Sequence, residues 1–305
     1  MEKRELGQTK LPVTVLGYGA MELRHLNQKD AGHILNAVLD QGINYIDTSP
    51  DYGPSEEFIG KAIAHRRSEY FLASKCGCNV DATGMGQTPP HVWSRKQLLW
   101  NIDNSLRLLK TDHLDVWQLH GPLPEELPGG AGDEVIRTMQ DLKQQGKVGW
   151  IAISYKNGRP GDPLYPAGYA HQYIKHFLDL GVFDVMQIVY GMMVRKNETA
   201  IAQTASRGVG TVIRGVTKQY QPDFPKLFTS AGLNELSAPG ETMSQFMLRF
   251  AMSNPGIHTM IIGTQNPAHL AENIQSAEQG KLAKSTFEEA SRRLNAIGIQ
   301  PEDIS

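Results

Sequence analysis

The chain has 305 residues, a net charge of −2 and 40% hydrophobic content, with a pI near 6.6, enough apolar material for one large α/β domain or two small ones. No long block of like charge is present, which argues against nucleic acid or an anionic membrane as partner. Cys76 and Cys78 stand one residue apart, unlike a secreted disulfide framework, and no apolar run approaches ~18 residues, so the expectation is a soluble, cytoplasmic protein.

The segment Leu6 to Val13 has a strand-turn-strand look and predicts a hairpin that caps a barrel floor. A first strand is expected from Val13 to Gly17. Ala31, Ile34, Leu35, Val38 and Leu39 then fall on one helical face, and Gly42 is a stop signal. Ile43 to Ile46 reads as the second strand, followed by a helix from Ser55 to His65 that turns Phe58, Ile59 and Ile63 inward. Tyr70 to Ser74 is the third strand. Leu98, Ile102, Leu106 and Leu109 mark the next helix, and Leu114 to Leu119 the fourth strand. Val135, Ile136, Met139 and Leu142 lead to strand five, Val148 to Ile153.

The alternation continues with a helix over 170–180, strand six over 184–187, a helix over 198–207 and strand seven over 209–213. A helix over 242–252 precedes strand eight, Thr259 to Ile262. Asn266 and Pro267 read as an N-cap and first helical residue. Ser285 and Glu288 suggest a capping box for one extra helix with Phe287, Leu294 and Ile297 on its apolar face. Eight strand-helix units predict a (β/α)8 TIM barrel with an N-terminal β-hairpin and an extra C-terminal helix, a single domain over 1–305. A doubly wound sheet is the alternative, weakened because no G-x-G-x-x-G follows the first strand.

Barrel sites lie at the C-terminal ends of strands. Those ends read Gly19, Asp47, Lys75, His120, Ser154, Gln187, Arg214 and Gly263, polar or small where the strands are apolar. Long connections at 76–95, 121–132, 155–166 and 215–237 are expected to wall a pocket. Asp47 shares its strand end with Tyr52, a phenol whose ordinary pKa is about 10, so a donor role for it needs a nearby cation. Lys75 is that cation. Taken alone, Asp47 and Lys75 read as a buried structural ion pair; with Tyr52 and His120 at matching strand ends they read as a site. Cys76 and Cys78 are expected to be inert thiols, with no metal site.

These residues resemble the aldo-keto reductase superfamily across most of the chain. The resemblance runs through Gly17-Tyr18-Gly19-Ala20-Met21, Ile46-Asp47-Thr48-Ser49 with Asp51-Tyr52-Gly53, and Ala73-Ser74-Lys75. It continues through Gln118-Leu119-His120, Gly146-Lys147-Val148, Ile153-Ser154, Gln187 with Tyr190, and Asn266-Pro267 to Glu272-Asn273. It implies hydride transfer between a nicotinamide and an aldehyde or ketone. Tyr52 would be the general acid, Lys75 would ease its proton release, Asp47 would hold Lys75, and His120 would orient the substrate oxygen.

The same resemblance implies a cofactor wall of Gly19, Ala20, Met21, Ser154, Gln187, Arg214, Gly215, Gly263, Thr264, Gln265, His269, Glu272 and Asn273. Tyr155 stands where the family commonly has Asn, and Arg214-Gly215 where it commonly has an aromatic. Gly263, Gln265 and His269 occupy places that often carry Lys or Arg in NADP-preferring members. NADP is favoured as cofactor, with NAD the alternative, and small polar carbonyls are favoured as substrates. Two other readings stay open on the sequence: a non-catalytic nicotinamide-binding barrel, and a lyase using Lys75 as a Schiff-base nucleophile.

Overall fold

The computed structural model describes residues 1–127, 133–155, 169–217 and 223–304. The hairpin of β1 (Lys3–Glu5) and β2 (Pro12–Thr14) comes first, paired antiparallel with Arg4 opposite Val13. Then follow β3 (Leu16–Gly19), α1 (Gln28–Asp40), β4 (Tyr45–Asp47), α2 (Ser55–Ile63) and β5 (Phe71–Cys76). A second hairpin, β6 (Cys78–Val80) and β7 (Gly86–His91), precedes α3 (Arg95–Leu109) and β8 (Leu114–His120). The chain goes on through α4 (Glu134–Gln144), β9 (Val148–Ser154), α5 (Tyr169–Asp179), β10 (Val185–Val189), α6 (Glu198–Ser206) and β11 (Gly210–Arg214). It ends with α7 (Phe224–Ser230), α8 (Met243–Met252), β12 (Thr259–Ile262), α9 (Pro267–Gln279) and α10 (Lys284–Ala296).

Eight strands close a barrel in the order β3, β4, β5, β8, β9, β10, β11, β12, all pairs parallel, with Ile261 of β12 against Gly17 of β3 at the seam. This is the expected (β/α)8 fold. Two apolar layers hold it. Tyr45, Ala73, Val116, Ala152, Val185, Val212 and Ile261 fill the inside of the ring, joined from below by Leu6 and Val13 of the first hairpin. The larger layer lies between strands and helices and includes the α1 stripe Ala31, Ile34, Leu35, Val38 and Leu39. At roughly 1.5–3 kcal/mol for each fully buried large aliphatic or Phe side chain, this layer is the main stabilising contribution.

The helix starts follow side-chain chemistry. Asn27 accepts from the Asp30 amide at 2.9 Å, Ser94 from Gln97 at 3.3 Å, and Asn266 from Ala268 at 2.9 Å ahead of Pro267. Three local expectations change. The Val13 to Gly17 segment is split, its first residues joining the floor hairpin and only Leu16–Gly19 entering the barrel. The Ser285 capping box does not form, because α10 begins at Lys284 and Ser285 already lies in its first turn. Ile297 is exposed, while Leu294 is buried and Phe287 packs against the core. The connections expected at 121–132, 155–166 and 215–237 fall partly outside the described residues.

Candidate active site

Side chains on a strand alternate faces, so the ring's inward positions can be read two at a time. Stepping two residues beyond the inner apolar layer gives Asp47 from Tyr45, Lys75 from Ala73, Gln118 from Val116, Ser154 from Ala152, Gln187 from Val185, and Arg214 from Val212. His120 is one further inward step along β8. Above the apolar plug, then, the ring turns polar on its inside.

At its centre, Lys75 donates to Asp47 Oδ1 at 2.6 Å and to the Thr48 carbonyl at 2.8 Å, with both side chains buried. The second oxygen of Asp47 accepts from Gln118 Nε2 at 2.7 Å and from Gln187 Nε2 at 2.8 Å. Burial works against the Lys75 charge, but the charge of Asp47 and its hydrogen bond outweigh it and hold the ammonium above its ordinary pKa. Tyr52 lies in the loop after β4, its ring centroid 4.8 Å from Lys75 Nζ and 6.1 Å from the His120 ring. Burial pushes the Tyr52 phenol above 10 and Lys75 pulls the other way. The resting phenol is therefore protonated at neutral pH, beside a fixed cation able to stabilise the phenolate it leaves on giving up its proton.

The other predicted residues line the same end of the barrel. Ser154 donates to Gln187 Oε1 at 3.0 Å, which fixes the Gln187 amide whose nitrogen reaches Asp47. Arg214 Nη2 donates to the Tyr155 carbonyl. The Tyr155 side chain turns out of the ring instead, its hydroxyl 3.7 Å from Met186 Sδ and its ring 5.9 Å from Phe177. Gly19 and Gly263 face each other across the seam; a Cβ on Gly263 would lie 2.7 Å from the Gly19 carbonyl. Ala20 and Met21 begin the short 3₁₀ helix Ala20–His25 beside them, and Gly215 takes a left-handed φ of 75° just past β11. The buried Tyr18 hydroxyl donates to the Thr264 carbonyl at 2.8 Å, setting the loop into α9. Gln265, His269 and Glu272 are exposed on that loop and helix, with Asn273 half-buried.

Gln118, named from sequence only within the family motif and given no role there, has an inward position two residues before His120 that strand alternation marks. Ser49 and Asp51, named from sequence only within the family motif, Cys78, expected to be an inert thiol, and His91, not singled out from sequence, gather around His120. The β6–β7 hairpin brings the last two there, and its turn docks on the Tyr52 loop, where Gly53 N donates to the Gly84 carbonyl at 3.3 Å.

A closed parallel barrel thus carries, at one end, a buried Lys75 and Asp47 pair beneath the Tyr52 phenol and beside the His120 imidazole. The Aldo/keto reductase family profile matches residues 15–219, and the chain belongs to that family. It is 28% identical over 308 residues to the uncharacterized oxidoreductase YqkF of Bacillus subtilis (strain 168), covering 93% of this chain and 94% of that one. It is 26% identical over 326 residues to L-galactose dehydrogenase of Arabidopsis thaliana, covering 100% and 92%. Among solved structures, the aldo-keto reductase AKR11C1 from Bacillus halodurans in its holo form superposes with a TM-score of 0.80 at 25% identity, covering 96% of each chain. The protein is thus an oxidoreductase of the carbonyl-reducing kind, and its family uses a nicotinamide dinucleotide. Among the described residues, no helix is long and apolar enough to cross a membrane.

The strand ends fit such a cofactor. Ser154 and Gln187 put a hydroxyl and an amide beside the Asp47 and Lys75 pair, and the Gln187 amide retains one N–H and one lone pair beyond the bonds described. Side chains are absent at the close Gly19 and Gly263 approach.

Proposed function

We propose that the protein reduces aldehydes or ketones to alcohols, reversibly, with Tyr52 as general acid assisted by Lys75, Asp47 and His120, the chain working as a single barrel domain. The observation that carries this reading is the buried contact of Lys75 with Asp47 at 2.6 Å directly beneath the Tyr52 ring. Hydride transfer is the chemistry the nicotinamide supplies when bound. The Tyr52 O–H bond breaks as the new alcohol O–H bond forms. Lys75 stays an ammonium throughout and stabilises the phenolate, Asp47 keeps that ammonium in place, and His120 hydrogen-bonds and orients the carbonyl oxygen. Fixed charges in a site shielded from water stabilise developing charge better than mobile water does.

Ser154, Gln187, Arg214 and Gly215 would hold the nicotinamide end. Gly19, Ala20, Met21, Gly263, Thr264, Gln265, His269, Glu272 and Asn273 would hold the rest of the dinucleotide. NADPH is the favoured reductant and NADH the alternative, because the α9 loop offers His269 and Gln265 where a 2'-phosphate would call for Lys or Arg. The name of the plant relative, L-galactose dehydrogenase, supports small polar, sugar-derived carbonyls as substrates. A Schiff-base role is disfavoured, since a lysine nucleophile must be neutral and Lys75 is held charged.

The test is oxidation of NADPH, and separately NADH, over a panel from aromatic aldehydes to open-chain sugars. Tyr52→Phe should lower kcat/KM by about 10² to 10⁴ with nucleotide affinity near that of the wild type. Turnover retained in that variant would remove Tyr52 from the role.

A further inference from the structure

We propose that Asp51, Cys78, His91 and His120 form a binding site for a zinc-type divalent cation at the mouth of the barrel. Each side chain offers one ligand atom, and the four atoms lie within 4.8 Å of one another. They come from separate stretches: Asp51 from the loop after β4, Cys78 and His91 from opposite strands of the second hairpin, where they are register partners, and His120 from the end of β8. Folding therefore assembles the set, and the hairpin register places two of its members face to face.

The spacings suit coordination, and the Asp51–His120 pair is longer than a closed ion pair. Cys78 Sγ is 3.3 Å from His120 Nδ1, and Asp51 Oδ2 is 3.4 Å from the same nitrogen. A charge-assisted bond between imidazolium and carboxylate closes to about 2.7–2.9 Å. Ligand bonds of about 2.0–2.3 Å on a tetrahedral ion instead set their donor atoms about 3.3–3.8 Å apart. With all four atoms within 4.8 Å, no pair exceeds that edge by more than about 1 Å.

The orientation of the donors is supported from behind. The His91 ring stacks on Trp93 with centroids 5.6 Å apart and planes 10° from parallel, and it meets the His120 ring nearly edge-on at 5.1 Å. Ser49 donates to Asp51 Oδ1 at 2.5 Å, turning the other carboxylate oxygen toward His120. Outer partners of this kind orient metal ligands.

The donor set also selects the ion. One sulfur, two imidazole nitrogens and one carboxylate oxygen suit zinc or cobalt, and do not suit calcium or magnesium, which take oxygen ligands. On binding, the Cys78 S–H bond breaks, a sulfur–metal bond forms and the proton leaves to solvent. Thiolate and carboxylate then balance the two positive charges, so the closed site is neutral. The ion would pin the second hairpin to the barrel. A metal on Nδ1 leaves the single proton of His120 on Nε2, making the ring a fixed neutral donor, a consequence that rests on the reductase reading although the site itself does not.

The experiment titrates Co²⁺ into full-length protein freed of metal by chelation. Saturation near one equivalent is expected, with tetrahedral visible bands, a thiolate-to-cobalt band in the near ultraviolet, and Zn²⁺ displacing the cobalt. Cys78→Ser should lose the charge-transfer band, and His91→Gln should weaken binding at least about tenfold. No saturable binding by the wild-type chain, or a cobalt spectrum unchanged in both variants, overturns the site. NADPH oxidation by the metal-free wild type is measured in parallel. Turnover without metal binding removes the metal site alone, whereas metal binding without turnover on any carbonyl counts against the reductase reading alone and leaves the site standing.

Discussion

Asp47 is the residue on which most of the inner ring converges. It accepts from Lys75, Gln118 and Gln187, and all four side chains are buried. Asn at this position would turn one acceptor into a donor facing other donors and would leave the Lys75 charge uncompensated. Asp47→Asn should therefore destabilise the fold by about 3–5 kcal/mol in urea unfolding; a loss below about 1 kcal/mol would mean that the pair contributes little to folding. At this scale the sequence was legible where chemistry coincides with a strand end, as for Asp47, Lys75 and His120. Gln118 appears in the sequence only as part of a motif, with no role, because it sits inside its strand, where only face alternation marks it as inward. Cys78 reads as an inert thiol in sequence because no His stands at metal-ligand spacing near it, and His91 faces it only through the hairpin register.

Helix positions were legible from their apolar stripes, and α1, α3 and α4 lie where periodicity put them. The second hairpin was not, since Gly86-Gln87-Thr88-Pro89-Pro90 is exposed, has no alternation, and carries two prolines that only an edge strand tolerates. One glycine decides how closely two elements meet. Gly60 of α2 touches the end of α3, where a Cβ would run into the Leu108 carbonyl and lie 2.8 Å from the backbone of Leu109. Backbone cannot rotate aside as a side chain does. Gly60→Ala should cost about 1–3 kcal/mol through forced separation of the helices, outweighing the better helix propensity of Ala. A thermal melt equal to or above that of the wild type would show that α2 can shift freely.

The whole molecule has two chemically different ends. At the one opposite the site, Arg4 of the floor hairpin donates to the carbonyls of Ile257 at 2.6 Å and Met252 at 3.1 Å. The adjacent His258 ring accepts from the Thr211 amide at 3.0 Å. Burial, with the nearby Arg4 charge, lowers the His258 pKa to about 4. Because an unfolded histidine titrates near 6.5, the unfolded chain binds the extra proton first. The contribution of His258 is thus complete above pH 6.5, declines as pH falls toward 4, and is gone below that. His258→Asn, which keeps an acceptor for Thr211, should show a shallower loss of melting temperature between pH 6.5 and 4; identical slopes would mean that acid unfolding starts elsewhere.

The seam where β12 lies against β3 joins Ile261 to Gly17 and Ile262 to Tyr18. During synthesis the second of these partners follows the first by most of the length of the chain. The ring therefore cannot close until β12 has emerged, whereas Asp47 and Lys75 stand on neighbouring strands made early in the chain. A chain that must wait for such a distant contact folds slowly and is prone to edge-to-edge association while it waits.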